Sequence, residues 1–262
     1  MFGVARNLRI FLSSQRYQWL SFLIYRSQGA IWLVVFSLST LASVVGISVI
    51  YSVSNGIAGW SYYQILALSG LANTILGVVD YLVNPWNLVT NMRNGTFDQV
   101  LTKPYNPIVL VLSRQGWVAA TGSIVSGLAL FVYSIAQLQV NPLAIVPALA
   151  LVALGCVAVT LFMVFMSMLA YVLFKSANFL HWIVSIAKST AEYPLGIYGV
   201  TGIFLLTVGL PIGIASFYPA ELMFSKIDYT PVLVVAAIAI VLSYLFYRGS
   251  LWLLKFYTSG GG

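Results

Sequence analysis

Two stretches of this chain, 30–51 and 142–174, carry no Asp, Glu, Lys, Arg or His. Each exceeds the roughly 20 apolar residues that a helix needs to cross a bilayer core of about 30 Å. In hydrocarbon every backbone N–H and C=O must be satisfied internally, which leaves helices or a closed β-barrel. No stretch has the period-2 alternation of a membrane barrel, so the sequence predicts an all-α polytopic membrane protein. The composition agrees, because 61% of residues are hydrophobic and only 6% charged, far from the balance of a soluble domain.

The net charge of +7 would suggest nucleic acid in a soluble protein. Here the basic residues sit at the ends of apolar runs, where they set orientation, and no nucleic-acid partner is expected. The single Cys156 lies inside an apolar run, which excludes a disulfide framework and a cysteine metal site. The amino terminus begins with a basic amphipathic segment rather than a short apolar core and cleavage site, so the first span is expected to act as its own insertion signal.

Residues 1–27 read as an interfacial helix, with Arg6, Arg9, Ser13 and Arg16 on one face and Leu8, Leu12, Trp19 and Phe22 on the other. Six spans follow, at 30–51, 62–83, 108–137, 142–174, 176–193 and 231–256. Ser39, Ala42, Ser43 and Gly46 offer the first span a small-residue seam, and Gly122, Ser126 and Gly127 offer one to the third. Asp80, near the end of the second span, is expected to pair with Arg93 or Arg114, and His181 reads as a helix-end residue beside Trp182.

The segment 194–221 is apolar but interrupted by Pro194, Pro211 and Pro219. Arg6, Arg9, Arg16, Arg26, Arg93, Lys103 and Lys175 place the amino terminus and two loops on one side, and Arg248 and Lys255 ask for the carboxyl end there too. An even number of crossings is then required, so 194–221 is read as a re-entrant pair of short helices entered from outside. Glu192, Glu221 and Asp228 would cluster on that outer side, and Ser259-Gly260-Gly261-Gly262 reads as a flexible tail.

Between spans two and three lies a polar island, 93–104. Asn94-Gly95 signals a turn, Thr96 can cap a helix and Pro104 cannot continue one, which brackets about two helical turns. Phe97 and Leu101, at i and i+4, are expected to form an exposed apolar edge, with Phe97 filling a groove on a partner. Asp98 and Lys103 would supply its polar rim.

Several stretches together carry a family resemblance: Tyr25-Arg26, Gly59-Trp60-Ser61, Gly95-Thr96-Phe97-Asp98 through Leu101-Thr102-Lys103-Pro104, and Tyr193-Pro194-Leu195-Gly196-Ile197-Tyr198 followed by Pro211 and Phe217-Tyr218-Pro219-Ala220. In this order the chain resembles an ABC-2 type transporter permease of the "ABC-2 family transporter protein" branch, over nearly its whole length. It departs from that pattern at Gly199-Val200-Thr201, where the family usually carries basic residues.

The resemblance implies a non-catalytic exporter subunit in a prokaryotic plasma membrane, with both termini cytoplasmic. Two permease subunits, identical or paralogous, would form the pathway, driven by two copies of a separate ATP-binding cassette ATPase. ATP and Mg would belong to that ATPase, and no cofactor or metal to this chain. In keeping with this, the sequence contains no Gly-x-x-x-x-Gly-Lys-Ser/Thr phosphate loop. The family's coupling helix falls on the island, which assigns ATPase docking to Arg93, Gly95, Phe97, Asp98, Leu101, Lys103 and Pro104. Its outer gate falls on Tyr193, Pro194, Tyr198, Pro211, Tyr218 and Pro219. The amino-terminal helix resembles the family's connecting helix.

Two other classes fit less well. A secondary transporter or channel needs intramembrane ionisable groups or a lined filter, for which Asp80 and Lys188 are the candidates. An intramembrane enzyme lacks an acid–base pair or metal cluster among these residues. Drugs, peptides, lipids and glycolipids are all compatible substrates. Tyr62, Tyr63, Trp117, Tyr133 and Tyr171 fit an amphiphile pathway, but aromatic belts and helix packing account for such residues as well.

Overall fold

The computed structural model describes residues 4–54, 56–114, 116–140, 142–224 and 229–259. Asp228, Ser225 and Gly260 to Gly262 lie outside the described residues, so the expected outer acidic cluster and the glycine tail are only partly visible. The described residues are helical throughout apart from short connections. The helices are α1 (Val4–Ile24), α2 (Arg26–Val53), α3 (Tyr62–Leu82), α4 (Pro85–Arg93), α5 (Asp98–Leu101), α6 (Pro107–Arg114), α7 (Thr121–Ala136), α8 (Pro142–Phe174), α9 (Asn178–Ala191), α10 (Gly199–Phe204), α11 (Ile212–Ala215), α12 (Phe217–Phe224) and α13 (Tyr229–Leu253).

Among the described residues five stretches are long and apolar enough to cross a membrane: Arg26–Val53, Tyr62–Arg93, Val118–Ala136, Pro142–Phe174 and Pro231–Phe256. A bent pair, Leu195–Gly209 with Ile212–Phe224 at 82°, is long enough to count as a sixth. The stretch 176–193, expected to cross, contains only the 14 residues of α9, about 21 Å of helix. Lys175 at φ 48° breaks the chain before it, and Pro194 stops it afterwards.

The apolar windows differ in burial, 78% for Tyr62–Arg93 against 11% for Arg26–Val53 and 17% for Pro231–Phe256. α3 is therefore the central post, and α2 and α13 present apolar surface outward. Local signals set its ends. Gln64 Oε1 accepts from the Ser61 N–H at 2.8 Å, while Asn84 Oδ1 accepts from the Asn87 N–H at 3.2 Å with Pro85 in the first turn of α4.

Small residues fix the closest helix contacts. A Cβ on Gly127 would stand 2.7 Å from Gly70 O, and one on Gly122 would stand 2.4 Å from Leu33 O. The seam expected on the third span is thus used against both α3 and α2, and Thr40 and Ser126 hydroxyls bond across it at 2.8 Å. On α2 the expected seam is only partly used: a Cβ on Gly46 would meet nothing within 4 Å.

The third span is shorter than expected, because α6 is a separate helix. Gly116 presses so closely on Tyr81 O that a Cβ would fall 1.9 Å away, and the Trp117 N–H donates to Asp80 O at 3.1 Å. The chain is pinned to the end of α3 there before α7 begins.

Candidate functional site

The island between α4 and α6 turns on Gly95, at φ 75°, a left-handed conformation that Gly adopts without a steric penalty. The Thr96 hydroxyl donates back to Asn91 O and Asn91 Oδ1, both at 3.1 Å, and so does not cap the next helix. α5 is consequently one turn of four residues rather than two turns. One turn cannot present an i, i+4 stripe outward. Instead Phe97 and Val100 point inward, Phe97 with no exposed surface, and they join Leu88, Met92 and Ile108 in a buried cluster. The expectation that Phe97 anchors a partner is thereby corrected, since its ring is already packed edge-on against Tyr257 at 5.3 Å. Leu101 is the apolar residue left outside, 40% exposed, near exposed Arg93 and Pro104.

The carboxyl-terminal residues close over this cluster. Tyr257 Oη donates to Asp98 Oδ1 at 2.8 Å and Ser259 Oγ donates to Asp98 Oδ2 at 2.6 Å. Those two hydroxyls, Ser259 first, hold the Asp98 carboxyl below the usual Asp range. Burial, then the neighbouring Asp98, pushes the Tyr257 phenol up. Asp98 is thus a partner of the chain's own tail rather than a free rim charge, and Ser259 is held rather than flexible.

From the other side Arg6 donates to Pro104 O and lies 4.8 Å above the Tyr105 ring. Asn106 Nδ2 donates to Tyr247 Oη at 2.7 Å. The island is tied by these contacts to α1 and α13, and the buried cluster adds Tyr171 of α8. Lys103 is half-buried. Sequence gives no sign of the contacts that Tyr257, Ser259, Arg6 and Tyr105 make here, because each partner is remote along the chain.

A second polar group lies within the helices. Lys188 Nζ stands 3.9 Å from Asp80 Oδ2, so Asp80 pairs with α9 and not with Arg93 or Arg114. Glu192 accepts from Ser43 Oγ at 2.7 Å and from Asn73 Nδ2 at 3.1 Å. Those partners sit in the interiors of α2 and α3, so Glu192 belongs to this group rather than to an outer acidic cluster. The His181 ring packs on Trp86 at 4.9 Å, while Trp182 is exposed. His181, Lys188 and Glu192 thus meet Trp86, Asp80 and Asn73 in turn, and α9 runs antiparallel to α3 and α4. A cleft of about 550 Å³ follows this face, lined by Trp86, His181, Ser185, Lys188, Glu192 and Tyr193.

The bent segment packs against α8, where a Cβ on Gly155 would stand 2.5 Å from Ala215 Cα. Pro211 is buried at the bend and Pro219 in α12, and Thr207 Oγ1 and Tyr218 Oη bond between the two arms at 3.1 Å. Trp60, from the loop after α2, packs its ring on Phe217 at 5.6 Å and meets Phe224 edge-on at 5.9 Å. Of the residues assigned to an outer gate, Pro211, Tyr218 and Pro219 are brought together here. Tyr193 instead lines the cleft, while Pro194 and Tyr198 flank the turn that leads away from it.

Residues 37–261 match the family model described as ABC-2 family transporter protein. The chain belongs to the ABC-2 transporter family. No curated protein and no solved structure matches it. Membership makes it a multi-pass membrane protein of transport. In this ABC-2 chain the match takes in the island, the cleft and the bent segment, but leaves α1 and the start of α2 outside.

Proposed function

We propose that this chain is the non-catalytic permease subunit of an ATP-binding cassette exporter, driven by separate ATPase subunits and paired with a second permease, identical or paralogous. The observation that carries the reading is its membership of the ABC-2 family over residues 37–261. The island supports it as the ATPase contact. Its outer face, with Arg93, Gln99, Leu101 and Thr102 exposed, is free, while its inner face is tied to α1, α8 and α13. A push there is transmitted through packed side chains rather than absorbed by a loop.

α9 is the fifth crossing, short but alongside α3 and α4, and the bent segment re-enters from outside; both termini are cytoplasmic. The polar face of α9 cannot face hydrocarbon and lines the pathway between the two permeases, where a hydrophobic or amphiphilic substrate passes. The test is co-purification of an ATP-binding cassette ATPase with the chain, combined with substrate efflux. In a Cys156→Ser background, Ser54→Cys should react with an impermeant thiol reagent in intact cells and Thr96→Cys should not. An ATPase that neither binds nor stimulates efflux, or outside labelling at Thr96, overturns the reading.

A further inference from the structure

One cavity in the described residues lies away from both sites above. It occupies about 890 Å³ between α1, the start of α2 and the end of α6, within the range of ligand pockets. Ser14, Tyr17, Gln18 and Ser21 line it from one face of α1, and Trp32, Arg114 and Trp117 from the opposite wall. Trp32 lies in the second turn of the span Arg26–Val53, and Trp117 immediately precedes the span Val118–Ala136. The two indoles meet edge-on at 4.9 Å. A cavity floored by tryptophans at the start of two spans sits at headgroup level, where such amphipathic rings prefer to be.

Its charge is one-sided. Arg114 is the cation in the lining and no acid joins it. Elsewhere Asp80 faces Lys188, Asp98 is held by Tyr257 and Ser259, and Glu192 is held by Ser43 and Asn73. Lys188 with Asp80 is the one ion pair among the described residues, so Arg114 has no carboxylate within ion-pair distance. A guanidinium fork in such a place is suited to a phosphate, which it engages through two parallel hydrogen bonds. Gln18 closes the wall between α1 and α6, its Nε2 donating to Ser113 O at 2.6 Å.

We propose that this cavity binds the headgroup of an anionic amphiphile carrying a phosphate ester, with Arg114 engaging the phosphate. The acyl chains run along the rest of α1, where Leu20, Leu23 and Ile24 are exposed. The site does not depend on ATPase docking, and most of its wall precedes the residues that match the family.

The test uses the full chain purified in a neutral maltoside detergent, with lipid binding read by native mass spectrometry. The probes are phosphatidylglycerol, phosphatidylcholine and soluble glycerol 3-phosphate. Phosphatidylglycerol should bind about tenfold more tightly than phosphatidylcholine or glycerol 3-phosphate, the scale of one good charged contact. Arg114→Gln should remove about that factor and Arg114→Lys only part of it. Arg114→Lys, which keeps the charge, keeps the test open if Arg114→Gln fails to fold. Arg16→Gln, on the exposed part of α1, should change affinity less than about twofold. Equal losses from Arg16→Gln and Arg114→Gln would reduce the effect to surface attraction and overturn the site. Binding of glycerol 3-phosphate as tight as that of the lipid would overturn the amphiphile assignment.

Discussion

The Tyr257 phenol donates to the Asp98 carboxylate over 2.8 Å although 159 positions separate them, and with the Ser259 hydroxyl it joins the end of the chain to the island. Its pH dependence has a definite sign. Asp98 is held below the ordinary Asp value in the folded protein by Ser259 and Tyr257. The contribution is therefore complete above the unfolded value of about 4 and is lost as pH falls through the folded one. Hydrogen exchange at 254–259, corrected for intrinsic rates, should show the tail protected at pH 7 and released only below about pH 4. Asp98→Asn should release it already at pH 7. Protection that ignores both changes would detach the tail from Asp98.

Phe97 and Leu101 should separate stability from docking. Truncating a fully buried aromatic typically costs about 3–5 kcal/mol, so Phe97→Ala should sharply lower the thermal unfolding temperature in detergent. Leu101→Ala, at an exposed position, should stay within about 0.5 kcal/mol of the parent in stability. It should nevertheless weaken retention of the ATPase in a pull-down from the same membranes. If Leu101→Ala retains the ATPase like the parent, the outer face of the island is not the contact.

The glycine seams give an internal control. At Gly127 a methyl group would collide with the backbone of α3 at Gly70 and Thr74, and overpacking of this kind costs about 1–3 kcal/mol. At Gly46 the space is open, and Ala has the better helix propensity. Gly127→Ala should aggregate at a lower temperature than the parent, whereas Gly46→Ala should match or exceed it.

The pairing of Lys188 with Asp80 predicts a compensating double substitution. Lys188→Met leaves the Asp80 carboxylate without its partner inside the helix bundle, which is more damaging than losing both charges. Yield and melting temperature should fall for Lys188→Met and recover in Lys188→Met/Asp80→Asn. Additive losses in the double variant would show that the two groups do not interact.

Much of the architecture was legible because crossing a bilayer imposes a local requirement. A long uncharged run such as 142–174 must be helical wherever it packs, and α8 covers that range. The turn at Asn94-Gly95 was equally local, since only the next few atoms decide whether a left-handed residue is needed, and Gly95 adopts one. Family membership was legible too, because short motifs in a fixed order survive without any knowledge of their contacts.

Direction and partnership were not. Phe97 looks the same in sequence whether it faces a partner or its own core, and Tyr257, which covers it, lies at the far end of the chain. Asp80 had two nearby arginines by sequence, but the antiparallel run of α9 brought Lys188 instead. The sequence by itself determined the helical membrane class, the spans of longest hydropathy and the position of the polar island, since these follow from solvation of a contiguous segment. Only the tertiary structure decided which face of each helix is covered, which charge meets which, and where a cavity opens, because those depend on contacts between segments that hydropathy and local propensity do not encode.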